Sequence, residues 1–144
     1  MKGDISKFQD TRIDGTDLNG ELERQSQSFV FVADHYIKAD AEYELYKLRV
    51  KQLIAGLDEQ VRLTALKAGT KTTEAAILKE IERHPDYIKA MEHQINLNRR
   101  KEELRNLRDG WRDRVQLLIQ RCINERTEME SLNRSTVKSL SAVG

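Results

Sequence analysis

The sequence has few of the residues that build cross-linked or many-turned folds. Among its 144 residues there are one cysteine, Cys122, and one proline, Pro85. A single cysteine excludes an intrachain disulfide and leaves at most one thiolate for a metal site. Because proline is scarce and 34% of the residues are charged, the composition favours long solvated helices over a β fold.

Long hydrophobic runs are also missing. No stretch of about 18 apolar residues occurs, and residues 1–4 do not begin the apolar segment of a signal peptide. With 38% hydrophobic residues, the chain still has enough apolar side chains for one folded domain. We therefore expect a protein without a membrane partner that resides in the cytoplasm, which would be that of an infected bacterium for a phage protein.

The usual patterns of catalytic and metal sites are absent from the sequence. No HExxH, CxxC or Walker-type loop occurs, and the three histidines have spacings that fit no metal motif. Asp10, Asp14, Gly15 and Glu21 have the spacing of a calcium loop, but Arg12 puts a cation at a ligand position. We interpret this segment as a polar turn before a capped helix. The prediction is a non-enzymatic protein without a metal or a cofactor.

Helical periodicity dominates the middle of the chain. At about 100° per residue, one set of side chains between residues 36 and 66 covers roughly a third of a helix circumference. This core stripe consists of Tyr43, Tyr46, Val50, Leu53, Ile54, Leu57 and Val61. Four leucines lie on nearly the opposite side, namely Leu45, Leu48, Leu63 and Leu66. Since a two-helix contact would leave them in water, they predict a second partner.

Turn and cap signals divide the chain into helices. Thr16 or Asp17 can cap the first helix, and Gly69 is suited to the left-handed residue that ends it. A short helix then spans residues 73–83, and Pro85 opens a last helix that reaches about residue 133.

Two stretches of these helices are ambiguous. The apolar run at residues 28–32 is compatible with a strand or a helix, although its helical continuation favours a helix. The last helix changes its apolar face near residues 96–98, which predicts a kink or a new packing partner there. Gly110 is its second weak point.

Together these patterns predict an all-α fold. We expect an antiparallel hairpin of two long helices with a short connecting helix, coiled-coil-like and oligomerising. Residues 1–15 are interpreted as a mobile N-terminal arm, residues 16–133 as the helical domain and residues 134–144 as a flexible tail.

Charge is unevenly distributed along the chain. Residues 1–46 hold five basic and ten acidic side chains, whereas residues 47–71 hold six and two. The basic residues form rows beside the apolar stripes: Lys47, Lys51 and Arg62 on the first long helix, and Lys101, Arg105, Arg108, Arg112 and Arg126 on the last. Such rows can follow a phosphate backbone. They are also typical of the solvated flanks of a coiled coil, which composition alone favours.

Several segments resemble the tailed-phage recombination mediators, the UvsY-like family. Residues 13–18 read Ile-Asp-Gly-Thr-Asp-Leu, with Glu21 following, and are similar to the family's opening before its first helix. The resemblance continues through residues 29–36, which are rich in aromatics, a long helix with Tyr43 and Leu48, and a basic stretch at residues 62–71. It extends over Lys71-Thr72-Thr73-Glu74 with Ile77 and Ile81, and then Asp86-Tyr87. From there on, only the helical pattern is similar.

This resemblance implies a non-enzymatic helper that binds single-stranded DNA and assembles into a ring-like homo-oligomer. Such a protein loads a recombinase onto strands covered by single-stranded-DNA-binding protein. Arg62, Lys67 and Lys71 are carried over as candidates for phosphate contact, while charge geometry alone adds Lys47, Lys51, Arg105, Arg108 and Arg112. The alternative is a helical scaffolding or adaptor protein that does not bind DNA.

Overall fold

Every regular element of the protein is a helix in the computed structural model, which describes residues 4–143. A short 3-10 helix, Ile5–Phe8, precedes three α-helices. These are α1 (Leu18–Lys67), α2 (Glu74–Arg83) and α3 (Pro85–Ser141). The two long helices pack against each other. The predicted all-α hairpin with a short connecting helix is therefore confirmed.

Helix α1 starts and ends at the predicted signals. At its start, the Asp17 carboxylate accepts a hydrogen bond from the Gly20 N–H at 3.1 Å, which satisfies a donor that a helix N-terminus leaves free. Residues 28–32 belong to α1, so this run is helical and not a strand.

At the end of α1, Gly69 has a φ of 67°. The N–H of Gly69 donates to the Leu66 carbonyl at 3.2 Å and that of Thr70 to the Ala65 carbonyl at 3.1 Å. This pair of hydrogen bonds is the Schellman motif, which requires a left-handed residue at the position of Gly69.

Local signals also set the start of α2 and the junction between α2 and α3. The hydroxyl of Thr73 accepts from the Ala76 N–H at 3.2 Å and caps α2. His84 is extended, as expected for a residue before proline. Pro85 then occupies the first position of α3, where its missing N–H costs nothing.

Helix α3 is continuous from Pro85 to Ser141, through residues 96–98 and Gly110. Its buried face does not change near residue 96, because Ala90 and Leu97 are both buried while Ile95 is exposed. The predicted helix end near residue 133 is wrong: no glycine or proline interrupts residues 133–141, and the hydroxyl of Thr136 donates to the Leu132 carbonyl of the preceding turn. Flexibility of residues 134–144 stays a prediction, and residue 144 lies outside the described range.

The chain divides into two compact units, and the second comprises His35–Arg105. Its core contains Leu57, Ile77 and Ile81, with Leu53, Ile54, Val61 and Tyr87 packed against them. The predicted stripe of α1 therefore faces the core. The four leucines of the opposite side are 47–76% exposed, so nothing in the described chain covers them.

The first unit comprises Met1–Asp34 and Asn106–Gly144, and charged and polar side chains occupy its core. The Arg114 guanidinium, on a residue that is 2% exposed, donates to the carbonyls of Thr11 and Arg12 at 2.8 and 3.0 Å and to the Gln25 amide oxygen at 3.0 Å. It also pairs with the Glu21 carboxylate. We call Glu21, Gln25, Trp111 and Arg114 the Arg114 cluster.

The Arg114 cluster packs the N-terminal segment against the helices of the first unit. The indole N–H of Trp111 donates to the Phe8 carbonyl at 2.7 Å, and the ring of Phe8 lies 4.4 Å from that of Phe31. Together with the bonds of Arg114, these contacts hold residues 8–12. The sequence did not predict them, and mobility of residues 1–15 stays a prediction, with residues 1–3 outside the described range.

Replacing Gly69 by alanine tests the left-handed turn, and Gly56 offers a matched control. A Cβ at either glycine would meet no atom within 4 Å, so only the backbone conformations differ. We expect Gly69→Ala to lower stability by about 1–2 kcal/mol because L-residues disfavour this φ. Gly56→Ala, inside α1, should raise stability by about 0.5–1 kcal/mol. Thermal unfolding followed by circular dichroism measures both, and equal melting temperatures for the two variants would contradict this account.

Replacing Arg114 by methionine tests the buried cluster. The change leaves the Glu21 carboxylate buried without its cation, so we expect a loss of about 3–5 kcal/mol in the free energy of unfolding. Arg126→Met is the matched control, because Arg126 pairs with Glu130 on an exposed face and is 82% exposed. Its effect should stay within about 0.5 kcal/mol. Urea denaturation compares the two variants, and similar midpoints would show that the cluster adds no stability.

Candidate nucleic-acid interface

The cations predicted to contact DNA are distributed over both units. Six lie in the second unit, namely Lys47, Lys51, Arg62, Lys67, Lys71 and Arg105, and two in the first, Arg108 and Arg112. These cations differ in whether an acidic side chain already forms an ion pair with them. That difference decides which of them are available to a polyanion.

The turn between α1 and α2 carries two cations without a counter-ion. Lys67 is the last residue of α1 and Lys71 lies before the Thr73 cap of α2. Both are exposed, and neither forms an ion pair with any residue in the range 4–143. We call residues 67–73 the basic turn. Because Gly69 and Thr70 bond back to α1, the backbone of the basic turn is held in place while both ammonium groups stay in solvent.

Arg62, in contrast, is engaged by two carboxylates. Its Nε donates to Asp58 at 2.9 Å, and its Nη2 lies 2.8 Å from each carboxylate oxygen of Glu74. The hydrogen bonds that Arg62 donates to Asp58 and to Glu74 raise the pKa of Arg62 above its ordinary value. The guanidinium thereby links the last turns of α1 to the first residue of α2.

Around Tyr43 the predicted cations are likewise partly engaged. Lys47 pairs with Glu44 at 2.9 Å, and its hydrogen bond with this carboxylate raises the pKa of Lys47. Lys101, with a side chain 14% exposed, lies 4.0 Å from Asp40 and 4.4 Å from the centre of the Tyr43 ring. It therefore belongs to the packing of the hairpin. Lys51 is exposed and forms no ion pair within the described residues.

The three arginines of α3 that were predicted to contact DNA have acidic neighbours on the same helix. Arg105 pairs with Glu102 at 3.4 Å in the second unit. In the first unit, Arg108 contacts Asp109 at 3.0 Å, and Arg112 lies 3.5 Å from Asp109 and 3.4 Å from Asp113. The predicted basic row is present, but acids within one helical turn compensate its charge.

Two carboxylates of the calcium-like segment, Asp10 and Glu21, have cationic partners, and the third, Asp14, accepts from the N–H and the hydroxyl of Thr16. The Nε and Nη2 of Arg12 donate to the Asp10 carboxylate at 3.0 and 2.9 Å. These bonds, together with one from the Arg12 backbone N–H, lower the pKa of Asp10 to about 2. Glu21 faces Arg114. Within residues 4–143 no group of three or more His, Cys, Asp or Glu side chains could hold a metal ion, and none of the helices described there is long and apolar enough to span a membrane.

Three comparisons with known proteins gave no match. No protein-family model, no curated protein and no solved structure matches the chain. The resemblance of residues 13–90 to the phage mediators therefore stays a prediction from the sequence. The functional proposal is therefore based on two features of the structure: the ion pairing of the predicted cations and the exposure of the side chains.

Proposed function

We propose that the protein is an oligomeric mediator of DNA recombination that binds single-stranded DNA. In this role it loads a recombinase onto strands covered by single-stranded-DNA-binding protein. The observation that carries the proposal is the basic turn, where Lys67 and Lys71 are exposed and have no counter-ion among residues 4–143. The same segment belongs to the part of the sequence that resembles the phage mediators.

The chemistry of the basic turn favours contact with phosphates over the reading of bases. Residues 67–73 contain no aromatic side chain on which a base could stack. Lysine ammonium groups bind phosphate as point charges, and their contacts release counterions from the nucleic acid. Binding through this turn is therefore independent of sequence and weakens as salt increases.

The double variant Lys67→Ala, Lys71→Ala tests the DNA-binding proposal. We expect roughly tenfold weaker binding to a labelled oligothymidylate in low salt. The slope of log affinity against log salt should fall by about 1.4, since each lost contact with single-stranded DNA removes about 0.7. Fluorescence anisotropy at several salt concentrations measures both quantities.

Lys79→Ala, Lys89→Ala is the matched control, because both lysines are exposed on α2 or α3 and the variant has the same net charge. It should keep most of the affinity and the slope. Equal losses for the two double variants would show that only net charge matters. A wild-type protein that fails to bind at low salt would refute the function itself.

Ion pairing and exposed leucines favour a second candidate function, a helical adaptor or scaffold. Five of the eight predicted DNA contacts already pair with acids, namely Lys47, Arg62, Arg105, Arg108 and Arg112. Leu45, Leu48, Leu63 and Leu66 are exposed on one side of α1. A row of apolar side chains on a helix is suited to packing against another helix. In the mediator proposal the same row assembles the oligomer.

Leu45→Gln, Leu48→Gln tests this role of the leucine row. Glutamine is a good helix former of similar length, so we expect unchanged helicity by circular dichroism. The mass in solution, measured by light scattering, should fall to that of a smaller species, because each copy loses two apolar side chains that the oligomer would bury. Leu132→Gln, Leu140→Gln on α3 is the control, as these two leucines are also exposed. An unchanged mass for the α1 variant would refute assembly through this row.

A further inference from the structure

Arg62 binds Glu74 through a guanidinium nitrogen, a group that also binds phosphate. Its Nη2 lies at 2.8 Å from both oxygens of the Glu74 carboxylate, while its Nε is bound to Asp58. Guanidinium groups bind carboxylates and phosphates with the same planar set of donors. The Glu74 carboxylate thus occupies an Arg62 donor that a phosphate can also use.

Asp58 and Glu74 have different parts in this arrangement. Asp58 lies one helical turn before Arg62 on α1, so their pair aligns the arginine along its own helix. Glu74 comes from α2 across the basic turn, and its side chain is 80% exposed. Loss of Glu74 would leave Arg62 bound to Asp58 with its Nη2 free.

The contact with Glu74 is weak enough to be exchanged. Arg62 has a side chain that is 47% exposed, and ion pairs between exposed side chains gain little in water. Glu74 is also the first residue of α2, where the helix dipole favours a negative charge. The carboxylate therefore stays beside the basic turn whether or not it is bound to Arg62.

We propose that Glu74 is an autoinhibitory anion that competes with a nucleic-acid phosphate for Arg62. This inference rests on the proposed function and concerns the regulation of the same site. In the free protein, Lys67 and Lys71 present the available positive charge and Arg62 is masked. A strand bound at the basic turn brings a phosphate to Arg62, and Glu74 is displaced while Asp58 keeps the side chain aligned.

A double-mutant cycle tests the competition. The four proteins are the wild type, Glu74→Gln, Arg62→Ala and the double variant, each titrated with a labelled oligothymidylate in low salt. We expect Glu74→Gln to bind about two- to fivefold more tightly, the range of an exposed ion pair. Its salt slope should steepen by about 0.7, the value of one added phosphate contact. In the Arg62→Ala background, the gain from Glu74→Gln should fall to the level of a control.

The control is Glu80→Gln, which makes the same charge change at an exposed position of α2. A gain for Glu74→Gln that equals the control, or one that persists without Arg62, overturns the inference, since either result would come from net charge. The DNA-binding proposal survives both results as long as the Lys67 and Lys71 variant loses affinity. Absence of binding by the wild type and by Glu74→Gln at low salt overturns the function and this inference with it. Thermal unfolding of all variants confirms that each one is folded.

Discussion

The seven-residue repeat of buried positions on α3 is the constraint on which the structure depends. The repeat runs through Ala90, Leu97, Leu104, Trp111 and Leu118, all of which are buried. A helix places every seventh residue on nearly the same side, so these residues form one buried seam along α3. Ala90 extends the seam toward the start of α3, and this explains why the buried face does not switch near residue 96. The predicted change of face was based on the large apolar residues Ile88, Met91 and Ile95, but Ile88 and Ile95 are exposed and Met91 is only partly buried.

A charged residue lies directly on this seam. Arg114 follows Trp111 by three positions and precedes Leu118 by four, which places it on the buried side of α3. An arginine at such a position requires partners because an unpaired buried charge is costly. The carbonyls of Thr11 and Arg12 and the side chains of Glu21 and Gln25 supply them. The same bonds that satisfy the guanidinium thus attach the N-terminal segment to the helices.

The sequence predicted the elements whose causes are local. The caps at Asp17 and Thr73, the left-handed turn at Gly69 and the junction at Pro85 each depend on residues within a few positions. The Arg114 cluster joins residues about a hundred positions apart, and no pattern along the chain signals such a contact. Its position three residues after Trp111 and four before Leu118 places Arg114 on the buried side of α3, but it does not reveal which distant residues bind it.

The candidate site shows the same division between local and distant causes. The pairs of Arg62 with Asp58 and of Arg105 with Glu102 follow from spacings of four and three residues on a helix. The contact between Arg62 and Glu74 requires the path of the basic turn, which sequence spacing does not reveal. Angular position on a helix therefore predicted on which side the cations lie, but not which of them form ion pairs with acidic side chains.

Pairing of the cations links the proposed DNA binding to assembly. Exposed ion pairs are weak, so a paired arginine still contributes to phosphate binding, but only after it exchanges its carboxylate. The two unpaired lysines of the basic turn can neutralise about two phosphates per copy without that exchange, which supports only weak binding at physiological salt. Copies joined through the leucines of α1 would bring several such turns to one strand, and linked weak contacts raise the overall affinity without any new contact. On the mediator proposal, the exposed leucines and the basic turn therefore have complementary roles, since the leucines join copies and the lysines bind the strand.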